Sequence, residues 1–168
     1  MTGATVLRHR TVAIVEAGDG VGREVAVGLA ARGYRVYGTA QTEDQAADLD
    51  EVWDGAITLT VTDISDRDSV DAWVGAVLVS LGERGLDVLV TSRSPTPGPL
   101  ATLGIIDAFL PSLRMARGRI VHIMAQLYPS MLEPLGIEVV TLELDGAGRT
   151  ESGATAAQRV IEVVDGAR

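Results

Sequence analysis

Apolar residues in this chain fall into short unbroken runs separated by polar stretches with helical spacing, and the two kinds of segment alternate from end to end. Thr11 to Val15 is apolar and rich in β-branched residues, as a buried strand requires. The glycine-rich turn Gly18-Asp19-Gly20-Val21-Gly22 follows, and Arg23 to Ala31 places Val25 and Leu29 on one helical face. Gly33 stops that helix, and Tyr34 to Ala40 reads as a second strand. Thr42 to Trp53 is a polar, acidic surface helix, and Ile57 to Thr62 alternates apolar residues with threonine as a third strand. Ser65-Asp66 reads as an N-cap, opening a helix with the apolar stripe Val70, Trp73, Val74, Val77, Leu78 and Leu81. Asp87 to Val90 is a fourth strand, and Thr91 to Pro99 a loop. Leu100 to Ala116 predicts a helix kinked or broken at Pro111, and Arg119 to Met124 a fifth strand. Leu127 to Leu135 has room for about two helical turns between its prolines. Ile137 to Leu144 reads as a sixth strand, Asp145 to Gly148 as a loop and Ser152 to Asp165 as a closing helix.

Strands that are apolar throughout, each followed by a helix, indicate a parallel sheet covered on both faces. The expected fold is a Rossmann-type doubly wound α/β/α domain with six strands in the order 3-2-1-4-5-6. A chain of 168 residues suits one such domain, residues 1–168. Glycines at the first strand-to-helix turn mark where backbone N–H groups can approach a phosphate at a helix N-terminus.

Composition narrows the partners. A net charge of −9 excludes the basic surface that nucleic acid or an anionic membrane needs. The start of the chain lacks the apolar core of a signal peptide, and no run approaches a membrane span, so a cytoplasmic location is expected. With no cysteine there is no thiolate chemistry, and no metal site is expected. The chain also contains no lysine and no asparagine; all 14 basic side chains are arginine.

In order and spacing these pieces resemble the short-chain dehydrogenase/reductase family along nearly the whole chain. Val12 to Ala26 is similar to its glycine-rich cofactor segment, and Tyr34 to Ala40 to its second strand. Asp63-Ile64-Ser65-Asp66 resembles the segment whose first Asp meets the adenine. Leu86 to Val90 resembles the strand leading to an Asn-Asn-Ala-Gly motif. Ala108 to Pro111 and Gly118 to Val121 resemble the fifth helix and strand, and Pro134 to Val140 the sixth strand. The resemblance implies NADP- or NAD-dependent hydride transfer, using a Tyr whose pKa a Lys lowers, a Ser that orients the substrate carbonyl and an Asn that holds a relay water.

The departures cluster on that chemistry. The first glycine of Gly-x-x-x-Gly-x-Gly falls on Glu16, whose charge and Cβ oppose a diphosphate. Ala40 and Gln41 give neither the acid that selects NAD nor the base that selects NADP. Thr91-Ser92-Arg93-Ser94 replaces Asn-Asn-Ala-Gly, and Ala125 stands where the Ser belongs. The stretch carrying Tyr-x-x-x-Lys is missing between Gln126 and Pro134, and a second gap falls near Leu103 to Ile106. The chain thus reads as a truncated member without the Asn-Ser-Tyr-Lys group, binding NADP or NAD weakly or not at all.

Individual residues keep two readings. Gly18, Gly20 and Gly22 suit phosphate binding or simply a tight turn with close packing. Asp63 suits an adenine amine or the turn before the next helix. His122 lies near the end of the fifth strand, where such sheets place ligands, and is either a base or a satisfied core residue. Asp145 can approach it across strand ends or cap a loop. Tyr128, with Leu132 four residues on, is an acid or a packing residue; Arg93 meets an anion or fills space. The expected function is a non-redox role on a small molecule in a biosynthetic pathway, of cyclase, isomerase or dehydratase type or as ligand or partner binding. The alternative is an NAD(P)-dependent oxidoreductase with a rebuilt site. Losing helix segments bares apolar sheet, so a homodimer is expected.

Overall fold

The computed structural model describes residues 9–92, 99–124, 136–143 and 153–166. In chain order it contains β1 (Thr11–Ile14), α1 (Gly20–Ala30), β2 (Arg35–Ala40), α2 (Glu43–Trp53), β3 (Ile57–Val61) and α3 (Arg67–Leu81). A short 3-10 turn, Gly82–Arg84, leads to β4 (Val88–Ser92), α4 (Pro99–Ala116), β5 (Arg119–Met124), β6 (Glu138–Glu143) and α5 (Gly153–Asp165). All six strands are parallel, in the order β3-β2-β1-β4-β5-β6. The doubly wound sheet and its strand order are those the alternating pattern predicts.

Successive strand residues point to opposite faces, so each strand feeds two cores. Val12, Ile14, Val36, Ile57, Val88, Val90, Val121 and Ile123 pack with side chains of α1, α2 and α5. Ala13, Val15, Tyr37, Leu89 and Ile120 pack with side chains of α3 and α4. On that second face Trp73 meets Phe109 edge-on, with ring centroids 5.5 Å apart and planes at 76°. Such an aromatic pair contributes roughly 0.5–1.5 kcal/mol beyond its burial.

Polar side chains lace the N-terminal ends of the strands. Thr11 donates its backbone N–H (2.8 Å) and its hydroxyl (3.0 Å) to Asp87 Oδ2. Arg10 donates to the Tyr34 hydroxyl at 2.7 Å and lies over the Tyr34 ring at 5.2 Å. Tyr34 in turn donates to Asp165 at 3.4 Å, and Arg32 pairs with the same carboxylate at 3.6 Å. The last helix is therefore tied to the start of the sheet. It also presses on α1 at Gly28, where an added Cβ would stand 2.2 Å from Ile161 Cδ1.

Three boundaries differ from the sequence reading. Helix α1 starts at Gly20, not Arg23, because Asp19 in extended backbone accepts the Gly20 N–H and starts the helix through the glycines. Strand β4 runs on through Thr91 and Ser92, which pair with His122 and Ile123 of β5. Helix α4 is continuous through Pro111, which is exposed, so the backbone carbonyl it leaves unpaired faces water rather than core. The segment 127–135 and the loop 145–148 lie outside the described residues. Among the described residues no helix is long and apolar enough to cross a membrane.

Candidate functional site

The turn after β1 is stitched to both neighbouring strands. Val15 N–H donates to Val90 O at 3.0 Å, Glu16 N–H to Thr39 Oγ1 at 2.8 Å and Ala17 N–H to Thr39 O at 2.8 Å. These bonds hold Glu16 in the left-handed region at φ 61°, a conformation glycine adopts at little cost and glutamate does not. The three glycines then serve different ends. A Cβ on Gly22 would lie 2.0 Å from the Glu16 carbonyl oxygen, so only glycine lets α1 pack against the turn. Gly20 takes φ +52° and faces open space. Gly18 lies against α2 and the end of β2, where a Cβ would meet Gln45 Oε1 at 2.6 Å and Ala40 Cβ at 3.1 Å.

The backbone here has the shape of a phosphate cradle, with an acidic side chain at the helix N-terminus. The Asp19 carboxylate already accepts the Gly20 N–H at 2.5 Å, taking up a donor at the positive end of the helix. Glu16 adds a second carboxylate on the same turn. At the end of β2, Gln41 N–H donates to Gln45 Oε1 at 2.9 Å and Thr42 caps α2, so neutral side chains line that position.

Asp63 follows β3 at the same edge of the sheet. Its Oδ1 accepts from Ser65 N–H at 2.9 Å and from Ser65 Oγ at 2.5 Å, and its own N–H donates to Ser69 Oγ at 3.1 Å. These bonds hold its carboxyl below the usual carboxylate range. They form the turn leading to Asp66, which caps α3 by accepting the Ser69 N–H. Asp63 thus organises the turn that enters α3.

His122 stands near the C-terminal end of β5, buried to 1 % exposure on the face toward α3 and α4. Its Nδ1 shares a 2.5 Å hydrogen bond with Thr91 Oγ1 on the adjacent strand. Its Nε2 is buried and has no partner among the described residues. Burial depresses its pKa to about 4, so the ring is neutral near pH 7. A fixed imidazole with one uncommitted nitrogen can exchange a proton or a hydrogen bond with a group placed beside it. The sequence pattern assigns Thr91 to a loop and so misses it. The length of the apolar run before it was the only signal, and the contact needs the β4–β5 register. Sequence reasoning also missed Asp19, whose position immediately before a glycine-led helix was its signal. The other candidates, Arg93, Tyr128 and Asp145, lie outside the described residues. Of the predicted set, the structure therefore brings Gly18, Gly20, Gly22, Asp63 and His122 to the C-terminal edge of one sheet. Among the described residues no three metal-ligating side chains cluster.

Residues 10–97 match the family model described as short chain dehydrogenase. Human retinol dehydrogenase 5 is 31 % identical over 128 residues, covering 65 % of this chain and 40 % of that protein. The chain thus spans about two fifths of the length of the curated relatives it matches. Among solved structures, a short-chain dehydrogenase from Streptomyces avermitilis superposes with a TM-score of 0.73 at 18 % identity, over 94 % of this chain and 85 % of that one. An alcohol dehydrogenase from Thermococcus sibiricus, complexed with 5-hydroxy-NADP, gives 0.74 at 17 % identity, over 94 % and 91 %.

Proposed function

The chain belongs to the short-chain dehydrogenase family, and on that premise we propose that it has given up hydride transfer and acts on, or binds, a small molecule in the crevice at the C-terminal edge of its sheet. The observation that carries this reading is chemical. The family mechanism rests on a Lys and an Asn, and this chain has neither at any position. Two carboxylates at the β1–α1 turn support it, because they weaken the site for a dinucleotide without disturbing the fold. In this reading His122 is the group that meets the ligand. It is held by Thr91 and kept neutral by burial, and Arg93, Tyr128 and Asp145 are the further candidates that the sequence offers. The reaction class is a proton-transfer step such as an isomerisation or dehydration, or binding alone.

A second reading, an NAD(P)-dependent oxidoreductase with a rebuilt site, draws on the cradle itself. Gly20 is open and left-handed, and Gly22 keeps the approach of α1 that a dinucleotide needs. One calorimetric titration with NADPH, NADP, NADH and NAD separates the two, paired with an absorbance assay of NADPH oxidation over a carbonyl panel. The first reading expects millimolar binding or none, and no turnover. Micromolar binding with steady oxidation of NADPH establishes the second and refutes the first.

A further inference from the structure

The far end of the sheet carries a cavity that the crevice chemistry does not use. It has a volume of about 270 Å³, lies between α3 and the outer strands β2 and β3, and is lined by Arg35, Tyr37, Thr58, Thr60, Trp73 and Ser80, with Ala76 and Val77. Arg35 opens β2, opposite Thr11 at the start of β1, and Thr60 lies near the end of β3, so the cavity runs along the outer strands; none of Gly18, Gly20 and Gly22 lines it.

Register explains why these side chains converge. Tyr37 stands beside Thr58, and Arg35 and Thr60 lie two residues along their strands, so all four project from the same face. Sheet positions in such a fold are ordinarily apolar. Here four polar side chains share one patch, and among the described residues none of their polar side-chain groups has a protein partner. Tyr37 is 7 % exposed, so its hydroxyl is presented on a ring otherwise sunk in the core. Trp73 forms the inner wall at 2 % exposure, and its indole N–H also has no partner among the described residues. Arg35, Thr58 and Thr60 are exposed, so their polar groups stand open to a ligand from solvent, and the buried Trp73 N–H beside them is the group that is costly to leave without a partner.

We propose that this cavity binds a small organic monocarboxylate, its charge on Arg35, its oxygens among the hydroxyls of Tyr37, Thr58 and Thr60, and its apolar body against Trp73 and Val77. The guanidinium fork matches the two oxygens of a carboxylate. No second cation lines the cavity, and the chain carries a net charge of −9, which disfavours a multiply charged anion such as a phosphate ester. The volume suits a body of one ring or a short branched chain.

The test is a nuclear magnetic resonance titration of the intact chain with benzoate, benzyl alcohol and inorganic phosphate as probes. The backbone amides of Thr58, Thr60 and Ser80 and the indole N–H of Trp73 are followed, with Trp53→Phe assigning the second indole. Benzoate is expected to give saturable shifts at these groups below about 10 mM, and benzyl alcohol none over the same range. Arg35 is exposed, so Arg35→Gln keeps the fold and weakens benzoate at least tenfold, and Thr60→Val weakens it by a smaller factor. No saturation by benzoate overturns the assignment. So does an equal titration of Arg35→Gln, phosphate binding as tight as benzoate, or shifts centred on Gly18 to Gly22 instead.

Discussion

Glu16 is the place where a single substitution separates backbone strain from charge. Its φ of 61° is imposed by hydrogen bonds from the turn to Thr39 and Val90. A side chain in the left-handed region costs about 1–2 kcal/mol. Glycine removes that strain but adds roughly 0.5–1 kcal/mol of backbone freedom to the unfolded chain. Glu16→Gly is therefore expected to stabilise the fold by about 0.5–1 kcal/mol, raising Tm by about 1–4 °C for a chain of this size. Glu16→Ala keeps the Cβ and so keeps the strain, and its stability should be unchanged or slightly lower. Charge gives the opposite pattern of discrimination. Were a diphosphate of two charges to sit about 5 Å from the Glu16 carboxylate, repulsion would oppose it by about 1.7 kcal/mol even at the dielectric constant of water, ~80. Both variants should therefore gain tenfold or more in dinucleotide affinity, while only the glycine variant gains stability. Urea titration with unchanged slope measures the first effect and calorimetry with NADPH the second. If Glu16→Gly and Glu16→Ala prove equally stable, the left-handed turn is not strained and the glycine register assigned here is wrong.

Stability should fall in acid through His122. Its folded pKa of about 4 lies below the ordinary value of 6.5, so the unfolded chain binds the extra proton. Its contribution is complete above about pH 6.5 and is lost as the pH drops toward 4, by up to about 3 kcal/mol. His122→Gln should flatten that slope in urea titrations at stepped pH, and an unchanged slope would contradict the assignment. Gly22→Ala forces a Cβ to within 2.0 Å of the Glu16 carbonyl and should cost about 3 kcal/mol or prevent folding. Gly75→Ala, in the exposed interior of α3 with nothing within 4 Å, should instead stabilise by about 0.5–1 kcal/mol; equal effects in thermal melts would remove the packing argument. Light scattering at micromolar concentration should report a dimer, and a peak at 17.6 kDa would refute it.

The central strands were legible as short apolar runs, since Val12 to Ile14 or Val88 to Val90 has no solvent-facing side to interrupt it, and the edge strand β3 by its alternation of apolar residues with threonine. The strand order followed from the alternation of strands and helices over β1 to β5, the pattern of a doubly wound sheet. What escaped was set by contacts rather than by pattern. Gly20 and Gly22 have poor helix propensity, yet α1 begins there because Asp19 caps it and Gly22 must lie against Glu16. Thr91 looked like the first residue of a polar loop, and only its pairing with His122 makes it strand. The site was legible as far as its glycines and its histidine. The two roles of a turn glycine, packing and phosphate approach, use the same residue type, and only the distance from Gly22 to Glu16 separates them. The absence of Lys and Asn needed no structure at all.

The contact between α1 and α5 also bears on how the chain is made. Gly28 and Ile161 belong to the first and last helices, and Tyr34 reaches Asp165 across a similar span. A nascent chain emerging from the ribosome can pair β1 with β2 and lay α1 on them early, but the part of that face under α5 stays uncovered until residues 153–165 have been synthesised. Non-local closure of this kind is slow, and the waiting apolar face is open to self-association. Chaperone demand during synthesis should therefore be governed by the arrival of α5, and weakening its seat at Ile161 should show first as lost soluble yield.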